Sequence, residues 1–248
     1  MKRGALIIIW VLGLVLSIAA NAQKGYTFKS AEYNFLMRNS AALKSDMAVQ
    51  MTSDFAFHPK WLNISPGLEV SITGGSLYRY FLEERVDFND KNAVVVRLNH
   101  LEYQNWDAGQ NFLNLYYQQT LKHFGWAAGV TWTATNLSDF HNPVKFDNNY
   151  DQFQLLYAVD YDIPFHKKMF DFKVGAENFT QFENYGYDNV GPYFEFGWQA
   201  TNRTRVKVMG DFRLTGIDTG TPHLARQTYL VGMEWKNVPK KEKKPKSY

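Results

Sequence analysis

Phe153-Gln154-Leu155-Leu156-Tyr157-Ala158-Val159-Asp160-Tyr161 reads as a strand with two unlike faces. Its odd positions, Phe153, Leu155, Tyr157, Val159 and Tyr161, are greasy, while Gln154, Leu156, Ala158 and Asp160 between them are mostly polar or small. Successive side chains of a strand point to opposite sides, so a period of two sorts one set from the other. The period recurs on both sides of this stretch. Phe170, Phe172, Val174 and Ala176 oppose Asp171, Lys173, Gly175 and Glu177; Phe194, Phe196 and Trp198 oppose Tyr193, Glu195, Gly197 and Gln199. Val206, Val208, Phe212 and Leu214 oppose Arg205, Lys207, Asp211 and Arg213, and Tyr229, Val231, Met233 and Trp235 oppose Leu230, Gly232 and Glu234. Upstream, Trp126, Ala128, Val130 and Trp132 alternate with Ala127, Gly129, Thr131 and Thr133, and Leu62, Ile64, Leu68, Val70 and Ile72 with Asn63, Ser65, Gly67, Glu69 and Ser71.

A soluble sandwich alternates too, with its apolar side inward. Segment length separates the two architectures: these runs are about 9 to 13 residues, the length of tilted membrane-crossing strands, whereas sandwich strands cluster near 5 or 6. The fold expected is therefore all-β, an antiparallel transmembrane β-barrel of about twelve strands. Leu77 to Val86 alternates poorly, because Glu83-Glu84-Arg85 breaks its greasy face, and Tyr26 to Met37 is marginal; without both the count is ten. Val94, Val96 and Leu98 followed by Leu101 and Tyr103 change parity, which reads as a bulge near Asn99. With both termini periplasmic, the longest connections (136 to 149, 180 to 189, 216 to 225) fall outside, and short ones such as Leu121-Lys122-His123 fall inside, the rule for outer-membrane barrels. Trp61, Trp126 and Trp235 then mark a periplasmic aromatic girdle.

The first 22 residues have the form of a secretory signal: Lys2 and Arg3, an apolar run from Ala5 to Leu16, and Ala20-Asn21-Ala22 before an expected cleavage site. Residues 23 to 235 are left as one barrel domain and 236 to 248 as a basic periplasmic tail. The chain has no cysteine, so neither disulfides nor thiolate chemistry enter. Mean hydropathy is −0.39 although 17% of residues are aromatic, and beyond the signal no run approaches the apolar length of a spanning helix. Without Lys2 and Arg3, and without the six lysines and one glutamate from Lys236 onward, 19 basic and 23 acidic residues remain, a net of −4. That balance does not fit a nucleic-acid binder.

Two sets of residues are candidates for function. On the polar parity, Asp171, Lys173, Glu177, Glu195, Arg205, Lys207, Asp211 and Arg213 form either a charged constriction or ion pairs that plug a narrow barrel. In the outer loops, Phe140, Tyr150, Phe182, Tyr185 and Tyr187 form either a stacking surface for a planar or sugar ligand, or packed loop residues. The six histidines, His58, His100, His123, His141, His166 and His223, lie in no recognisable serine motif. No metal-ligand spacing or phosphate loop is present, and no cofactor is expected.

Phe112-Leu113-Asn114-Leu115-Tyr116-Tyr117, and Asp162-Ile163-Pro164-Phe165 leading into Phe170-Asp171-Phe172-Lys173-Val174-Gly175, resemble the nucleoside-channel (Tsx-like) barrels. The resemblance implies a twelve-stranded outer-membrane channel with nucleosides as solute. Taken together, the sequence points to a barrel of a Gram-negative-type outer membrane, surrounded by lipid, monomeric by default, and porin-like in passing or binding small polar solutes. The alternatives are a pore-less structural barrel in an outer-membrane complex, reached through the basic tail or the membrane, and, third, a lipid-modifying barrel enzyme.

Overall fold

The computed structural model describes residues 25–40, 45–57, 61–73, 77–103, 108–137, 148–165, 169–184, 189–217 and 219–238. The expected signal peptide, the tail beyond Val238, and Phe140, Tyr185 and Tyr187 lie outside these residues; Tyr150 is described in its backbone alone. The described strands are twelve: β1 (Tyr26–Ser40), β2 (Asp46–Phe57), β3 (Leu62–Ser71), β4 (Leu77–Asn89), β5 (Asn92–Tyr103), β6 (Ala108–Thr120), β7 (Phe124–Leu137), β8 (Asn148–Ile163), β9 (Phe170–Glu177), β10 (Gly191–Gln199), β11 (Thr204–Thr215) and β12 (His223–Lys236). Each pairs antiparallel with its neighbours in sequence, and β1 pairs with β12 from Ser30↔Lys236 to Ser40↔Arg226, so the sheet closes on itself. Closure leaves neither β1 nor β12 as a free edge, as a wall of strands in lipid requires.

Both doubtful strands are present. β4 is continuous from Leu77 to Asn89, and its broken alternation has a spatial meaning: Glu83 and Arg85 point inward with Arg79, while Glu84 is exposed on the outer face. The bulge expected near Asn99 is absent, since β5 and β6 stay in register from Asn92↔Gln119 to Tyr103↔Ala108. Leu101 instead faces inward in the same parity as Val95, Arg97 and Asn99, and packs on Phe112. Register shifts occur between Phe28 and Ser30, between Asp87 and Asn89, and between Arg213 and Leu214.

The outer face is apolar around the ring: Phe153 (77% exposed), Leu155 (65%), Val231 and Leu98 project from the wall. The end with the short connections, such as 90–91 and 121–123, carries an aromatic cluster in which Phe28 stacks on Trp235 at 5.7 Å and meets Phe55 edge-on at 5.6 Å. Trp61, Phe88 and Trp126 continue it, as the expected girdle required. The inner face is polar, with Asn63, Glu69, Asn114 and Thr131 buried.

Candidate functional site

β9 and β10 have 8 and 9 residues, whereas β8 has 16 and β11 has 12. β8 therefore pairs with β9 only up to Ala158↔Glu177. Just beyond, Asn178 continues the ladder with its side chain: its Oδ1 accepts from the Tyr157 N–H at 2.8 Å and its Nδ2 donates to the Leu155 carbonyl at 2.7 Å. The main chain is thus free to leave the wall, and it turns into the barrel. Phe179 and Asn184 bridge, the Thr180 N–H donates to the Glu183 carbonyl at 2.7 Å, and the Thr180 hydroxyl accepts from the N–H groups of Phe182 and Glu183. A threonine hydroxyl closing a tight turn in this way fixes the hairpin without outside help.

Side chains from much of the wall grip this hairpin. Glu183 accepts two hydrogen bonds from Arg226, at 2.8 and 2.5 Å, and lies 3.5 Å from Arg213 and 3.4 Å from Arg79. Arg79 in turn bonds Glu69 at 2.8 Å; Glu69, fully buried, is held at 2.6 Å by both Arg38 and Gln50, and Arg38 reaches Asp46. A chain of alternating charge therefore runs along the wall from β2 through β1 and β3 to β4, and from there through the hairpin to β12. Burial opposes the charge on Glu183, which lies outside the spanning strands, but Arg226, Arg79 and Arg213 together hold its carboxyl well below the usual carboxylate range.

A second grip centres on Arg97. Its guanidinium sits between the rings of Phe81, Tyr116 and Phe179, 5.3 to 5.8 Å from each centroid, donates to Glu83 at 2.8 Å, and donates to the Thr180 carbonyl at 2.7 Å. Phe182 meets Phe81 edge-on at 4.8 Å, and Phe179 joins Val95, Tyr116, Ala127 and Leu156 in a buried apolar cluster. Asn184 and Asn114 exchange amide hydrogen bonds at 2.8 and 3.0 Å, with Asn184 also donating to Thr131.

Beneath the hairpin lies a cavity of about 430 Å³, bordered by Glu32, Lys173, Glu177, Tyr193, Lys207 and Asp211 among others. All eight charged candidates face inward, but they do not form one cluster. Arg205 pairs with Asp171 and, at 2.6 Å, with Glu195; Lys207 pairs with Glu32 at 2.5 Å and approaches Glu195. Lys173 turns the other way, 3.4 Å from Asp160 and 3.7 Å from Asp162. Glu177 and Asp211 border the cavity, and Arg213 belongs to the Glu183 grip. Of the loop aromatics, Phe182 is placed in the lumen and not at the mouth.

The other charged residues of the wall, Arg38, Glu69, Arg79, Glu83, Arg97 and Arg226, were not among the sequence candidates. Their signal lay in the residues that spoil the alternation: Phe81, Leu156 and Val95 are apolar on the polar parity because the hairpin packs there.

On the outer face His100 stacks on Tyr80 at 4.6 Å and its Nδ1 is 2.7 Å from Asn111; among the described residues no serine hydroxyl is bonded to it. His223 is bonded to Thr215 at 2.8 Å.

No protein-family model matches the chain, and no curated protein matches it. Among solved structures it is similar to the NanC porin, with 10% identity and a TM-score of 0.52 over 84% of this chain and 100% of that one. It is similar as well to the translocator domain of autotransporter NalP from Neisseria meningitidis, with 9% identity and a TM-score of 0.51 over 94% and 96%. The KdgM porin aligns over 84% and 99% with 8% identity and a TM-score of 0.49. At these identities the likeness concerns the fold, which is that of outer-membrane β-barrels. The nucleoside-channel resemblance is not confirmed by them.

Proposed function

We propose that this protein is a porin-like channel of the outer membrane that passes small polar solutes, with the hairpin Phe179–Asn184 as its constriction. One observation carries the reading: a cavity of about 430 Å³, walled by charges of both signs, lies under a hairpin held by ion pairs. Eight-stranded barrels are filled by their side chains and 16-stranded ones leave an aqueous channel, so twelve strands with one infolded segment lie between. The cavity volume is in the range of small-molecule sites. Nucleosides, the solute that the Tsx-like resemblance implies, would find the Tyr193 ring at the cavity wall.

The alternative, a pore-less barrel, is favoured by the same charge chain if it never opens. Planar-bilayer conductance separates the two. Wild-type protein should conduct in small steps, and Glu183→Gln, which removes the carboxylate that Arg79, Arg213 and Arg226 share, should raise the step size several-fold. No conductance in either form would overturn the channel and favour the pore-less barrel. Liposome swelling with nucleosides and with uncharged sugars of similar size would then test the solute.

A further inference from the structure

We infer that two copies of this barrel meet in the membrane through the outer face of β3–β5, with Glu84 of each copy at the contact. The contact lies on the outside of the wall and stands whether or not the lumen conducts.

Glu84 is exposed and shares parity with the outward residues Leu82 and Val86. It lies four residues from Tyr80 and four from Phe88, aromatic residues that bound the apolar band above and below. Four residues of a strand rise about 13 Å, or about 10 Å along the membrane normal at the usual tilt, in a band about 25 Å tall. The carboxyl therefore projects near mid-depth. Its cross-strand neighbours are Ile64 on β3 and Val96 on β5. The rest of this face, Pro66, Leu68, Val70, Leu82, Val86, Val94 and Leu98, is aliphatic, and among the described residues Glu84 is its only charged group between Tyr80 and Phe88. No lipid chain offers a hydrogen bond at that depth, and charged residues there are costly, so they mark contacts made by protein.

The geometry of a membrane selects the occupant. Two copies inserted the same way are related by a two-fold axis along the membrane normal, so each residue meets residues at its own depth. On this face, mid-depth offers Glu84 only one polar group, the Glu84 of a second copy. Two facing carboxyls hydrogen-bond when they hold a proton between them, as paired carboxylic acids do in other proteins. Three strands about 4.8 Å apart and tilted about 40° take up about 19 Å of the membrane plane, which over the band gives about 900 Å² in a pair, close to the lower bound for a specific interface.

The chain has no cysteine, so single replacements report cleanly. In bilayers at low protein density, a short bis-maleimide should link Val96→Cys, which lies beside Glu84 and leaves it in place, into a covalent dimer. Val208→Cys, exposed on β11, should remain single. By single-molecule photobleaching, labelled wild-type protein and Glu84→Gln, which keeps donor and acceptor, should lose fluorescence in two steps. Glu84→Leu, which improves the lipid-facing surface and so does not threaten folding, should do so in one. The proposal is overturned if wild type bleaches in one step, if Glu84→Leu still bleaches in two, or if Val96→Cys cross-links no more than Val208→Cys. Attachment of wild type to a different protein, with one barrel per complex, would overturn it in favour of a basic or amide-bearing partner.

Discussion

At the scale of single residues, Arg97 and Phe81 show how an inner wall becomes a receptor for a loop. Arg97→Met would keep most of the stacked volume but leave Glu83 buried opposite no charge and the Thr180 carbonyl without its donor. Removing one partner of a buried pair costs about 3–5 kcal/mol. The urea midpoint of the barrel should fall accordingly, and the 178–184 segment should become open to protease. Phe81 rests across Gly67 of the adjoining strand, where any Cβ would collide with its ring. Gly67→Val should displace Phe81 and with it Phe182, at a cost of about 1–3 kcal/mol for overpacking. The effect should appear as a lower melting temperature together with faster hairpin cleavage.

At the scale of elements, the short strands β9 and β10 and the hairpin between them are one device, and Asn178 is its hinge post. Asn178→Ala removes both side-chain hydrogen bonds to β8, at about 1–3 kcal/mol each, and leaves the backbone bond from Asn178 to the Tyr157 carbonyl as the remaining link. Amide exchange at Tyr157 should accelerate while that of β11, on the far side of the hairpin, stays slow. This element also marks the limit of what the sequence tells. Period two places each side chain inside or outside, and it did so for β3, β7 and β9 to β12. It says nothing of a segment that leaves the wall, because the contacts of Glu183 with Arg79 and Arg226 join residues some 100 and 43 positions apart. The asparagines, threonine and aromatics of 178–184 read equally well as an outer loop. Leu101, read as evidence of a bulge, breaks the pattern because the upper inner wall carries its own apolar pair with Phe112.

For the whole molecule, strand number, closure and the polar interior were legible, since about 25 Å of apolar band imposes the same alternation on every strand. Which inner charges pair was not, as parity fixes a face and not a partner. The orientation has a direct check: a cysteine at Thr221 should label from outside intact cells and one at Asn202 should not, and the reverse pattern would invert the barrel. The response to pH follows from Glu183. Its folded value lies below the ordinary 4.5, so its stabilisation is fully present above that value and is lost as pH falls through the folded one. Hairpin docking, followed by protease sensitivity, should be unchanged between pH 7 and pH 5 and fail only in stronger acid.

The pairing of β1 with β12 brings the two ends of the barrel side by side, with the Asn237 N–H donating to the Lys29 carbonyl at 2.7 Å. As an object the wall is therefore a ring, and its first and last strands are a matter of synthesis and not of structure. A circular permutant that links residue 238 to residue 25 through a short spacer, and opens instead at Leu121-Lys122-His123, keeps every strand pair. It should assemble into the same barrel, with its new ends on the same side of the membrane as the old ones.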